Sequence, residues 1–253
     1  MSIEIVVLLL VYFSGWYAIA TMMKNTGIID IGWGLGFFVV ALYQQIAYNN
    51  FLGWLFVAVV GVWGLRLTFH IAKRNLGKPE DFRYQNFRKQ WGDSFFVRAY
   101  FQLYLFQGLI MGVVALPYLE AMKLDEINNT VLLGIGVLIF LVGYGFEVIG
   151  DAQLKTHIND PSKKGTLIRS GLWQFTRHPN YFGDALLWWG IFVMGVAIGA
   201  PLWTVVSPLV MTYLLRFVSG VPMLEKRMQK YPEFEEYAKE TNIFIPWFKR
   251  EVK

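Results

Sequence analysis

The sequence contains no cysteine. Disulfide scaffolds, thiol nucleophiles and thiolate-ligated metal centres are thereby excluded. Histidine is nearly as scarce, with only three copies, at positions 70, 157 and 178, so no zinc or haem site is expected and no metal is assigned. Charged residues make up 16% of the 253-residue chain, well under the roughly 25% of an ordinary soluble domain. No Walker loop, Gly-rich Rossmann turn or Ser-His-Asp arrangement is present, which removes the common soluble nucleotide-binding and acyl-transfer designs. Residues 2–23 lack a basic leading region and an A-x-A cleavage pattern, so the first apolar stretch is expected to be retained as a span.

What fills the chain is apolar: 55% of residues are hydrophobic and 17% aromatic. A disordered chain is never so apolar, and a soluble globule of this composition would expose aggregating surface. The expected fold is all-α, an integral membrane bundle of seven transmembrane helices. Seven stretches approach the roughly 20 residues that a bilayer-spanning helix needs: 3–23, 28–48, 51–72, 98–118, 130–150, 181–199 and 202–221. No internal repeat breaks the single polytopic domain, 1–253.

The net charge is +5. In such a chain the basic surplus belongs to cytoplasmic loops and not to a nucleic-acid face. The stretches 73–98 and 151–180 are basic and the connection at 119–129 is acidic, while 49–50 is neutral. Basic connections thus alternate with neutral or acidic ones, which predicts the N-terminus outside and the C-terminus in the cytoplasm. A charged tail follows residue 221.

Ionisable residues inside spans are costly and are the first candidates for function. Asp30 lies near the start of the second span, where it reads either as an acid favoured by the helix dipole or as an interior acid able to donate to a substrate oxygen. Arg66 and His70 share a face of the third span, as snorkelling and satisfied groups or as functional ones. Glu147 and Asp151 share a face at the end of the fifth. The densest group is Arg177-His178-Pro179-Asn180-Tyr181-Phe182-Gly183-Asp184. Pro179 suits a first helical turn, Asn180 and Asp184 share a face, and Arg177 with His178 at the helix mouth form a natural phosphate site. A basic membrane-interface anchor would account for Arg177 but not for Asn180 and Asp184. Arg216 lies deep in the last span, ahead of a break expected at Ser219-Gly220-Val221-Pro222.

The run Gly171-Leu172-Trp173 through Arg177-His178-Pro179-Asn180-Tyr181-Phe182-Gly183-Asp184, followed by Arg216, Glu225 and Lys230-Tyr231-Pro232, resembles the C-terminal half of steroid 5α-reductases. The same pattern runs through sterol reductases and isoprenylcysteine carboxyl methyltransferases. The whole chain is similar to the bacterial steroid 5α-reductase-like branch, on Glu80-Asp81-Phe82-Arg83-Tyr84-Gln85 and Phe146-Glu147-Val148-Ile149-Gly150-Asp151 as well. The resemblance implies an NADPH pocket in the half 130–253, facing the cytoplasm, and substrate-facing helices in 1–118. It implies cofactor contacts from Glu147, Asp151, Asn180, Tyr181, Asp184, Arg216 and Tyr231, with Arg177 and His178 at the mouth. Two arginines of the animal enzymes appear here as Ile158 and Thr166, so the adenosine phosphate would draw on Lys163, Lys164, Arg169 or the 73–89 loop. For the groups at the substrate carbonyl the nearest counterparts are Asp30 and, roughly, Trp63 or His70, with Tyr84 as a further catalytic candidate.

The expected activity is therefore an NADPH-dependent oxidoreductase acting on the C=C bond of an apolar enone such as a 3-oxo-4-ene steroid. A steroid or isoprenoid-like substrate would come sideways from the bilayer, to a monomer among membrane lipids of the bacterial inner membrane. The alternative is a SAM-dependent methyltransferase of lipid or prenylated substrates. A non-enzymatic lipid-binding protein is the third class, and it would not need so many polar groups inside spans.

Overall fold

The computed structural model describes residues 1–250, which are helical with no strand among them. Seven helices are long and apolar enough to cross a membrane: α1 Ile3–Met22, α2 Thr26–Tyr48, α3 Gly53–Asn75, α4 Phe82–Val114, α5 Thr130–Asn159, α6 Pro179–Ile198 and α7 Leu202–Met228. The chain is a multi-pass membrane protein of the expected all-α class. In hydrocarbon every backbone polar group must be satisfied within the segment, and the helix does this locally.

The fourth and fifth spans differ most from the sequence reading. The fourth begins at Phe82, so much of the stretch expected as a basic loop is helix. Asp81 accepts the Arg83 N–H at 2.9 Å and so caps the first turn, and the basic side chains Arg83 and Arg88 that follow are held by acids. The helix passes through a π-helical segment, Ala99–Leu105, before ending at Val114. The fifth span runs on to Asn159, and at about 1.5 Å per residue its 30 residues outreach the roughly 30 Å of hydrocarbon. The break after Arg216 falls where expected: a π-helical turn, Leu214–Val218, leads through Ser219 and Gly220 into the helical segment Val221–Met228.

The chain forms two compact units, Met1–Asn128 with Ile198–Thr204, and Asn129–Ala197 with the chain from Val205 onward. In the first, α2 is central. Its backbone meets α3 at Gly34 and Gly64, where a Cβ on Gly34 would stand 2.3 Å from the Gly64 carbonyl oxygen. Only glycine permits that approach. Three tyrosine hydroxyls from neighbouring segments donate to α2 carbonyls: Tyr104 to Thr26 at 3.0 Å, Tyr12 to Gly32 at 2.6 Å and Tyr118 to Phe37 at 3.2 Å.

In the second unit α5 and α6 run antiparallel along a glycine seam. Gly136, Gly143 and Gly150 recur every seven residues on α5, as do Gly183 and Gly190 on α6. A Cβ on Gly183 would stand 2.4 Å from the Glu147 nitrogen, and one on Gly190 would stand 2.5 Å from the Phe140 nitrogen. The seam fixes which α5 residues face which on α6, and that register builds the polar groups described next.

Candidate functional site

In the first unit the site is built around Asp30, in the first turn after the short 3-10 turn Thr26–Ile28. Its carboxylate faces two groups of α4. Tyr84 donates its hydroxyl to Asp30 Oδ1 at 2.7 Å, and Arg83 Nη2 donates to Oδ2 at 2.6 Å. Tyr84 is buried, while the Asp30 side chain keeps 18% of its surface exposed and so remains reachable. The adjacent acids Glu80 and Asp81 set this geometry, Glu80 by tying the start of α2 to α4 and Asp81 by bonding within α4. Glu80 Oε1 accepts the Thr26 N–H at 2.8 Å and Arg88 Nη2 at 3.0 Å, whereas Asp81 caps α4. Burial alone would raise the Glu80 carboxyl, but Arg88 and the Thr26 N–H together hold it below the usual carboxylate range. The Arg88 guanidinium also lies 4.1 Å from the centre of the Phe95 ring.

The structure thus joins two of the expected catalytic residues, Asp30 and Tyr84. Another, His70, is half-buried near the end of α3. Two residues before it on α3, Thr68 lies against α2, its hydroxyl oxygen 3.1 Å from where a Cβ on Gly34 would stand. Thr68 gives no signal in the sequence, yet its hydroxyl oxygen is buried without a hydrogen-bond partner among the described residues. Arg83 is a further site residue that sequence reasoning missed. Its signal is its place two residues after an acid at a helix start.

In the second unit the expected cofactor residues divide into two groups. Along the α5–α6 seam, Asn180 Nδ2 donates to Asp151 Oδ1 at 2.9 Å. Asn180 Oδ1 is buried without a hydrogen-bond partner among the described residues. One turn deeper on the same faces stand Glu147, which is buried, and Asp184. Arg216 sits in the π-helical turn of α7 with its guanidinium carbon 4.7 Å from the centre of the Phe217 ring.

The other group is a clamp at the α6 mouth. Arg177 grips Glu225 with two bonds, Nε to Oε1 at 3.0 Å and Nη2 to Oε2 at 2.8 Å. Its Nη1 donates to the carbonyls of Ala238 at 3.1 Å and Thr241 at 2.6 Å. His178 Nε2 lies 2.7 Å from the same Glu225, and its Nδ1 is buried with no hydrogen-bond partner among the described residues. Burial pushes the His178 imidazole below its ordinary value, against the opposing pull of Glu225. Tyr181 stands nearby, its ring centre 6.1 Å from that of His178.

The remaining basic candidates stand on acids of their own or in the open. Arg169 bonds Glu236 at 2.7 Å and Glu240 at 3.0 Å, Lys163 pairs with Asp160 at 3.2 Å, and Lys164 is exposed. Tyr231 is half-buried just beyond α7.

A family model described as a protein of unknown function, DUF1295, matches residues 16–241, the stretch that holds both polar groups. The chain belongs to that DUF1295 family. An uncharacterized protein of Schizosaccharomyces pombe is 25% identical over 266 residues, covering 91% of this DUF1295 chain and 75% of the yeast one. No solved structure matches it.

Proposed function

We propose that this DUF1295 protein is a membrane reductase of the steroid 5α-reductase-like type. It would use NADPH to reduce the C=C bond of an apolar enone, such as a 3-oxo-4-ene steroid. The observation that carries the reading is the Tyr84–Asp30–Arg83 arrangement at the start of a span. Reduction of an enone places negative charge on its carbonyl oxygen, and a site must supply a proton-bearing donor there. The one proton of the Tyr84 hydroxyl rests in its bond to Asp30; to reach the enolate oxygen it would turn from Asp30 to the substrate, leaving the Asp30 carboxylate held by Arg83 alone. Aromatic and aliphatic side chains dominate the rest of α1 to α4, as an apolar substrate requires.

The second unit has groups that fit a dinucleotide. The buried Asn180 Oδ1 offers an acceptor for an amide N–H or a ribose hydroxyl. Arg216 and Lys164 offer cations for phosphate. NADPH, when bound, supplies the hydride for the β-carbon of the enone. The Arg177–Glu225–His178 clamp would hold the α6 mouth against the chain that follows α7.

Two measurements on detergent-purified protein test the reading. NADPH at 100 times its Kd is expected to add about 2.7 kcal/mol of stability, seen as a raised Tm, while S-adenosylmethionine leaves Tm unchanged. A 3-oxo-4-ene steroid is expected to drive NADPH oxidation. A Tm raised by S-adenosylmethionine and not by NADPH would overturn the reductase in favour of the methyltransferase.

A further inference from the structure

The last ten described residues, 241–250, run as an extended strap over the segment that leads into α6. The Arg177 N–H donates to the Asn242 carbonyl at 2.9 Å, and the Trp247 N–H donates to the Phe175 carbonyl at 2.9 Å. Between them the Thr176 hydroxyl donates to the Phe244 carbonyl at 2.8 Å. The strap's backbone is therefore held on residues 175–177, and its side chains divide between two sides. Phe244 turns inward, its ring centre 6.0 Å from that of Phe182. Ile245, Trp247 and Phe248 stay 66%, 63% and 75% exposed. Lys249 and Arg250 follow at once, held near the strap by Glu240 at 3.3 Å and Asn242 at 2.7 Å respectively.

The level of this apolar group relative to a bilayer follows from α6. That helix has 20 residues, about 30 Å, and so needs nearly all of its length to cross the hydrocarbon. Pro179 consequently marks the membrane boundary at that end. Residues 175–177 lie within about one turn of it, and the strap is bonded to them. Exposed tryptophan, phenylalanine and isoleucine followed by lysine and arginine are the side chains that settle at the junction of acyl chains and headgroups.

We propose that the strap is an interfacial anchor whose occupant is the bilayer itself. Ile245, Trp247 and Phe248 enter the headgroup–acyl boundary at the α6 N-terminal end, and Lys249 and Arg250 lie among anionic headgroups. Because Arg177 binds both Glu225 and the Thr241 carbonyl, a strap seated on lipid also steadies the clamp at the α6 mouth.

The absence of native cysteine makes the test direct. Full-length Ile245→Cys and Phe248→Cys proteins each carry one environment-sensitive fluorophore, with Ser162→Cys, on an exposed turn, as the aqueous reference. The proteins are reconstituted into vesicles of phosphatidylcholine alone or with an equal part of phosphatidylglycerol. The expected result is blue-shifted emission at 245 and 248, quenching by nitroxide lipids labelled near the headgroup, and protection from aqueous iodide. Phosphatidylglycerol should strengthen all three. A label at 245 as open to iodide as the one at 162, and unquenched by lipid nitroxide, would overturn the proposal. So would a disulfide linking two unlabelled Ile245→Cys chains at high lipid dilution, since the occupant would then be a second copy. If labelling impairs folding, bromolipid quenching of the unmodified protein against Trp247→Phe gives the same readout. A quenched fraction unchanged by that substitution would count against the anchor.

Discussion

The Tyr84 hydroxyl donates to Asp30 at 2.7 Å across 54 residues of sequence, and the neighbouring Arg83 completes the same carboxylate. A helix-start acid that served only the helix dipole would point its oxygens at backbone N–H groups. Asp30 instead receives two side chains from another span.

Removing either end of this hydrogen bond should impair turnover and spare cofactor binding. Asp30→Asn is expected to lower kcat by about 100-fold or more, the scale of losing a general acid–base group. Tyr84→Phe should do the same. Steady-state oxidation of NADPH with an enone substrate measures kcat, and titration of NADPH against protein fluorescence measures Kd. Normal turnover in both variants would return Asp30 to a purely structural role and move attention to His70.

The cofactor reading gives the opposite pattern at the other unit. Asn180→Ala removes a buried acceptor and should raise the Kd for NADPH about tenfold, or about 1.4 kcal/mol. Arg216→Ala should weaken NADPH binding as well. Calorimetric titration checks both, and an unchanged Kd in the pair would separate these residues from the cofactor.

The glycine seam gives a packing prediction with its own control. Gly183→Ala places a methyl group 2.4 Å from the Glu147 nitrogen and the Gly143 oxygen. It should cost about 1–3 kcal/mol through forced separation of α5 and α6. Nothing lies within 4 Å of a Cβ on Gly145, so Gly145→Ala should be neutral or should stabilise by up to about 1 kcal/mol. Thermal melts of the two variants in one detergent compare them.

His178 makes stability depend on pH. Burial sets its folded pKa below the ordinary value, so the folded protein binds this proton less readily than the unfolded chain. Stability is then full above about pH 6.5, the ordinary histidine value, and is lost as pH falls through it. Tm measured against pH should show this decline, and His178→Gln should flatten that part of the curve.

The charge pattern of the loops predicts the orientation. A reporter that fluoresces only in the cytoplasm should be active when fused to the C-terminus, and one that needs the far side should be silent. The reverse result would invert all seven spans.

Much of the fold was legible in the sequence, and the reason is local. A stretch of about twenty apolar residues in lipid has one economical way to satisfy its backbone, the helix, so composition and length alone disclosed seven spans. The same logic marked Asp30, Asn180 and Arg216 as misplaced polar residues worth a functional reading. The absence of cysteine closed off thiol chemistry on composition alone, and three histidines left a zinc or haem site unexpected. What only the tertiary structure decided was who meets whom. Arg177 and His178 read as a phosphate-binding mouth, yet both are directed at Glu225, 48 and 47 residues away. Glu80 and Asp81 are adjacent and look alike, but Glu80 joins α2 to α4 whereas Asp81 bonds within α4. Those pairings depend on where the helices cross, and the crossings are set by close backbone approaches at Gly34 with Gly64 and along the Gly143–Gly183 seam. Helix formation is a property of each segment by itself. The register between helices is a property of their contact, and no spacing within a single segment encodes it.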